Sequence, residues 1–220
     1  MIGKKLESEL KGIVKAAFIN QEETSGGMGY RYFHSVRVYD SCKRFLSFDE
    51  VKRRKPDADV ALIASLFHDI GRATDKRKLT TAIMPGHDEL SGRMVKTILK
   101  GHVDEDTISK VSGLLLDYKN DEHPSIEKEL VTYADDLDEI GALDVWRMFT
   151  FEAYNKGNIE TKLAFWRNRE SKKYSQAWIN NFKIRPIRKI AERRRAILSA
   201  FMEELELESK SADIRNWPLK

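Results

Sequence analysis

From Lys4 to Glu208 the apolar residues of this chain recur every three or four positions, the spacing that buries one face of an α-helix. Residues 4–20 set Leu6, Leu10, Ile13, Val14, Ala17 and Phe18 on one stripe, and a helix over 30–45 brings round His34, Val38 and Cys42. Between them the polar, Gly-rich stretch Gln21 to Gly29 interrupts the pattern. Asp57 is placed to cap a helix whose residues Val60 to Phe67 are almost wholly apolar, which makes that helix the centre of a core. It runs into His68-Asp69-Ile70-Gly71, where the glycine suits a helix C-cap. Further helices are expected over about 88–100, from Asp104 or Asp106 to near Tyr118, and from Pro124-Ser125 through Ala134, Gly141 and Val145 to Asn155. Two or three more amphipathic helices fill 160–208. With only 12 Gly and 5 Pro, the chain has too few turn residues for a sandwich or barrel. The expected fold class is therefore all-α. It is expected as one helical domain over 1–220, with its core at 30–145 and the helices of 160–208 packed on that core to complete the bundle.

A hydrophobic content of 41% excludes a disordered chain, although 34% of residues are charged. No apolar run approaches the roughly 18 residues that span a bilayer. The opening MIGKKLESELKG lacks the apolar stretch of a signal peptide, so a cytoplasmic protein without a membrane partner is expected. The single cysteine, Cys42, allows no internal disulfide and no Cys-rich zinc site, and its apolar stripe places it in the core.

The residues able to carry chemistry are His34, the pair His68-Asp69, and an aspartate within Ala134-Asp135-Asp136-Leu137-Asp138. Imidazole nitrogen with carboxylate oxygen suits a divalent ion of the Mn, Fe, Co, Ni, Zn or Mg range. Neighbouring residues of a helix diverge by about 100°. His68 and Asp69 can share one ion only if the backbone leaves helical geometry there. A second His-Asp pair, His87-Asp88, follows Gly86 at a helix start, where Asp88 reads more simply as an N-cap.

These segments resemble the HD-domain phosphohydrolase superfamily, whose pattern is a histidine, a distant His-Asp pair and a later aspartate on a helix. Tyr32-Phe33-His34-Ser35-Val36-Arg37-Val38 is similar to its first-histidine helix, and Ala64-Ser65-Leu66-Phe67-His68-Asp69-Ile70-Gly71 to its central motif. Gly86-His87-Asp88-Glu89-Leu90-Ser91 resembles the segment that often supplies an extra histidine. Ala134-Asp135-Asp136-Leu137-Asp138-Glu139-Ile140-Gly141-Ala142 resembles its final motif, and that likeness selects Asp135 over Asp136. The resemblance implies one divalent metal held by His34, His68, Asp69 and Asp135, with Asp69 and His68 as catalytic groups. It implies hydrolysis of a phosphate ester or anhydride, of a nucleotide or another small phosphorylated substrate, by attack of metal-activated water. Binuclear members carry a further histidine near the position of Asp117-Tyr118, which this chain lacks, so a single metal is expected. Some 5′-nucleotidase members carry a glutamate where this chain has Arg72.

Cations would hold the phosphate. Arg37, one helical turn beyond His34, is a candidate, as are Arg72, Lys76 and Arg77 after the His-Asp pair, Lys119, and His87 at the pocket wall. Asp138 and Glu139 read as helix-surface or supporting groups. Trp146, Phe149, Phe151, Tyr154, Phe165 and Trp166 read as core of the C-terminal helices. Residues 183–195 hold seven Lys/Arg and one acid, and a run of that kind is expected as a solvated helix face. Contact with nucleic acid is the less favoured reading, because no aromatics interleave the run. An alternative function follows from it: a catalytically silent nucleotide sensor or RNA-binding protein. The sequence leaves the oligomeric state open.

Overall fold

The computed structural model describes residues 2–74, 86–117, 125–171 and 174–215. The described residues are predominantly helical, and their one sheet is a two-stranded hairpin. The chain packs as two compact units, Met1–Asp138 and Glu139–Lys220. The expected 30–145 core lies almost wholly in the first, and the expected 160–208 helices lie in the second.

In the first unit, α1 (Lys4–Phe18) is followed by the hairpin β1 (Glu22–Glu23) and β2 (Gly27–Met28), then α2 (Tyr30–Phe45) and the short α3 (Asp49–Lys52). Next come α4 (Ala58–Phe67), a 3-10 turn over Ile70–Thr74, α5 (His87–Ile98), α6 (Glu105–Leu116) and α7 (Ile126–Asp138). The Asp57 carboxylate accepts the Val60 N–H at 3.2 Å, which starts α4 as its sequence implied. Every residue from Val60 to Phe67 is buried, so this helix needs apolar partners on all sides. It finds them in Leu10, Val14 and Phe18 of α1, Val95 of α5, Val111 and Leu115 of α6, and Val131 of α7. Each such side chain contributes about 1.5–3 kcal/mol on burial. This packing fixes where α4 ends, and with it where His68 and Asp69 stand.

Three expectations are corrected here. Gly71 is no left-handed cap, since it lies inside the 3-10 turn. What it supplies is closeness, because a Cβ there would stand 2.3 Å from the His87 carbonyl oxygen and 2.7 Å from the Ser91 nitrogen. Asp88 is not the N-cap of α5: Gly86 takes that position at φ 92°, and Asp88 is buried beside His87. The long helix expected from 125 to 155 is two helices, α7 ending at Asp138 and α8 starting at Ala142. Gly141 between them sits at φ 91°, a conformation that a helix interior does not allow.

The second unit comprises α8 (Ala142–Tyr154), α9 (Ile159–Ser171), α10 (Tyr174–Asn181), α11 (Arg185–Ser209) and α12 (Ala212–Arg215). Its core joins Met148, Leu163, Trp166, Leu198 and Met202. Trp166 is core as expected, whereas Trp146, Tyr154 and Phe165 are exposed. Helical spacing predicts a stripe but not which of its edges a neighbouring helix covers. Along the basic run, Lys183, Arg185, Lys189 and Arg193 are exposed, as a solvated face requires. Among the described residues no helix is long and apolar enough to cross a membrane.

Candidate metal centre

Three helices of the first unit and the 3-10 turn that follows one of them converge on one point. His34 comes from the inner face of α2, His68 caps the C-terminus of α4, Asp69 follows it into the 3-10 turn, and Asp135 stands on α7. His34, His68 and Asp69 are buried, and the Asp135 side chain is 27% exposed. The Nε2 atoms of His34 and His68 lie 3.1 Å apart. Asp135 Oδ1 lies 3.2 Å from the first and 3.6 Å from the second. Asp69 Oδ2 is 3.8 Å from both. His68 keeps α-helical backbone angles (φ −55°, ψ −35°) at the end of α4, yet Asp69 Oδ2 comes within 3.8 Å of its Nε2, so the two adjacent side chains reach the same point just before the 3-10 turn.

Hydrogen bonds set the tautomers. His34 Nδ1–H donates to Asp138 Oδ2 at 2.8 Å, and His68 Nδ1–H donates to the Ser65 carbonyl at 2.9 Å. Each imidazole therefore turns its Nε2 lone pair toward the other, with a carboxylate oxygen beside them. Acceptors so arranged need a cation between them, either a proton or a metal. With bonds of about 2.1 Å, ligands at neighbouring corners lie about 3.0 Å apart on an octahedron and about 3.4 Å on a tetrahedron. The separations of His34 Nε2 from His68 and from Asp135, 3.1 and 3.2 Å, fall in that range. The 3.6 Å between His68 and Asp135 and the 3.8 Å between Asp69 and each histidine lie a few tenths beyond it. The donor set of imidazole and carboxylate is that of a borderline divalent ion. The residues present fit a metal.

The electrostatics agree. Burial would lower the His68 pKa, but the carboxylates of Asp135 and Asp69 outweigh it and push it up to about 9. His34 is also raised: burial opposes, while Asp135 and Asp138 favour its charged form. Burial opposes ionisation of Asp69, yet Arg31, His68 and Arg72 hold it well below the usual carboxylate range. For Asp138, burial is overcome by hydrogen bonds from Arg37 and His34, which bring it down to about 2. Glu23, Asp69, Asp135 and Asp138 face Arg31, Arg37 and Arg72, so this connected network is net negative before a cation enters.

Of the proposed phosphate-holding residues, Arg72 gives Nε to Asp69 Oδ1 at 2.7 Å, and its Nη2 faces His87 Nε2 at 3.1 Å. His87 lies 3.6 Å from Asp69 Oδ1, at the edge of the same cluster. Arg37 is turned to Asp138, with Nε on Oδ1 at 2.7 Å and Nη2 on Oδ2 at 2.8 Å, while its side chain stays 34% exposed. Lys76, Arg77 and Lys119 lie outside the described residues. Asp138, expected as a helix-surface or supporting group, is buried and hydrogen-bonded to His34 rather than lying on the surface. Arg31 and its partner Glu23 were not singled out by sequence. Arg31 stands three residues before His34, and that spacing on a helix would have flagged it.

Among curated proteins none matches this chain. Solved structures do. Bacillus subtilis YpgQ is 20% identical with a TM-score of 0.66, over 93% of this chain and 95% of that one. A predicted HD superfamily hydrolase from an uncultured Thermotogales bacterium is 21% identical with a TM-score of 0.62, over 91% of each chain. An HD-superfamily hydrolase from Bacillus thuringiensis is 20% identical with a TM-score of 0.63, over 94% and 97%. At such identities the likeness establishes the fold. The HD domain itself matches residues 31–140, half the chain and the stretch that holds His34, the His68-Asp69 pair and Asp135, and the protein belongs to the HD-domain family.

Proposed function

We propose that the protein is a metal-dependent phosphohydrolase that cleaves a phosphate ester or anhydride of a nucleotide. The observation that carries this reading is the convergence of two imidazole Nε2 atoms and the Asp135 carboxylate, with Asp69 beside them, in a largely buried cluster whose carboxylates outnumber its arginines. A divalent ion there supplies charge for a phosphoryl oxygen and lowers the pKa of a bound water. His34, His68, Asp69 and Asp135 would hold it. Asp69 has both oxygens at the cluster, so one can ligate while the other orients a nucleophilic water. Arg72 (17% exposed) and Arg37 reach the rim, where guanidiniums can pair with phosphate oxygens while keeping their carboxylate partners. His87 lines the same edge. A nucleotide is favoured as substrate because the structurally similar Bacillus subtilis YpgQ has been crystallised in complex with ADP.

The test is hydrolysis of mono-, tri- and cyclic nucleotides in the presence of Mn²⁺, Mg²⁺, Fe²⁺ or Co²⁺, with wild type beside Asp69→Ala. Metal-dependent turnover that disappears in the variant is expected. No turnover with any pair, together with salt-sensitive RNA binding, would replace this reading with the silent one.

A further inference from the structure

The Gly-rich stretch between α1 and α2 reads in sequence as a connection, yet it reaches the metal cluster along two routes. The first is ionic. Glu23 is buried and accepts Arg31 Nε at 2.9 Å and Nη2 at 3.2 Å. Arg31 then donates Nη1 to Asp69 Oδ2 at 2.6 Å. The second is steric. The Tyr30 ring stacks on the His34 ring with centroids 5.8 Å apart and planes 15° from parallel. Gly26 backs onto that tyrosine so closely that a Cβ would lie 2.1 Å from its ring carbons. The hairpin is itself pinned by the Glu22–Met28 and Glu23–Gly27 pairing and by the Gly29 N–H on the Gln21 carbonyl at 2.8 Å.

We propose that the 22–28 hairpin is a positioning element of the metal centre, with Glu23 setting Asp69 through Arg31 and Gly26 seating His34 through Tyr30. The inference rests on the metal-centre reading above. Its chemical core is the share of Arg31 that Glu23 occupies. A guanidinium free of other partners pairs with a carboxylate through two parallel bonds, taking a lone pair from each oxygen. Glu23 holds the guanidinium side-on through Nε and Nη2, and in that orientation Arg31 makes one bond to Asp69, from Nη1 to Oδ2. Asp69 keeps its charge and orientation, with lone pairs left for a cation. Without Glu23, Arg31 can close on Asp69 in the bidentate form and compete with the metal.

The experiment is Mn²⁺ binding to the full chain by calorimetry, at a temperature where circular dichroism shows each variant folded. Glu23→Gln is expected to weaken binding by about 10- to 100-fold, the usual effect of losing a group that orients a ligand. Glu22→Gln, on the exposed neighbour, is expected to stay within about twofold of wild type. In an Asp69→Asn background the Glu23→Gln effect should shrink to within about threefold, since it acts through Asp69. Gly26→Ala should weaken binding in both backgrounds, because its route runs through His34. Should Glu23→Gln not fold, Arg31→Lys carries the same comparison, as an ammonium cannot bridge two carboxylates with a fixed fork. Glu23→Gln binding like wild type, or losing the same factor with and without Asp69, would overturn the inference. Wild-type protein that binds no Mn²⁺ would overturn the metal centre itself, a separate result.

Discussion

In the protein without metal, the Nδ1 hydrogens of His34 and His68 are committed to Asp138 and Ser65, so any further proton must sit on Nε2, where a cation would lie. Burial works against that proton, but Asp135 and Asp69 prevail and push His68 up to about 9. Two Nε2 atoms 3.1 Å apart have room for one proton between them, and His68 opposes a second charge on His34. The pair therefore carries one proton at neutral pH, and metal binding expels it. Below the raised His68 value the Mn²⁺ association constant should rise by up to about tenfold per pH unit, and the rise should level off as pH passes about 9. The same proton sets a stability profile. Because the folded value is raised above the ordinary 6.5, its contribution to the metal-free fold is fully present below pH 6.5 and is lost as pH rises through about 9. Saturating Mn²⁺ should remove that loss. Calorimetry in buffers of differing ionisation enthalpy counts the proton directly, and thermal melts with and without metal follow the stability. Affinity independent of pH across this window, or release of two protons, would refute the reasoning.

Two further predictions rest on other contacts. Asp138→Asn keeps an oxygen for His34 Nδ1–H but breaks the paired bonds to Arg37, and should weaken Mn²⁺ binding by about 10- to 100-fold; unchanged affinity in a Mn²⁺ titration would show that His34 needs no such support. Gly71→Ala drives a Cβ into the His87 and Ser91 backbone and should cost about 3 kcal/mol or more in urea unfolding, whereas Gly12→Ala, on α1 with nothing within 4 Å, should stabilise by about 0.5–1 kcal/mol. Equal midpoints for the two variants would contradict the packing at Gly71.

Much of the helical layout is legible because 3.6-residue periodicity and local caps act over short distances. Asp57 and Asp104 each accept the N–H three residues on; the first start follows from the sequence alone, and the structure chooses Asp104 over Asp106 for the second. Errors arise where one residue has several local uses. Gly71 has the composition of a cap and the role of a close contact. Asp88 has the composition of an N-cap and is buried beside His87 instead. Gly141 has the periodic context of a helix interior, yet its φ of 91° breaks the helix there.

At the cluster of His34, His68 and Asp135 the division is sharper. Sequence picked out His34, His68, Asp69 and Asp135, because the order of these residue types along the chain carries the family pattern. It also made the apolar Val60–Phe67 segment the central helix, which holds His68 at its end. Only the tertiary structure decided that Arg37 turns to Asp138, that Arg31 spans Glu23 and Asp69, and that the two Nε2 atoms meet at 3.1 Å. Those contacts join residues from 8 to 101 positions apart, and a side chain's choice among such partners depends on how helices pack, which no local pattern encodes. The sequence thus determined which atoms are available for a metal, and packing decided which groups hold those atoms in place.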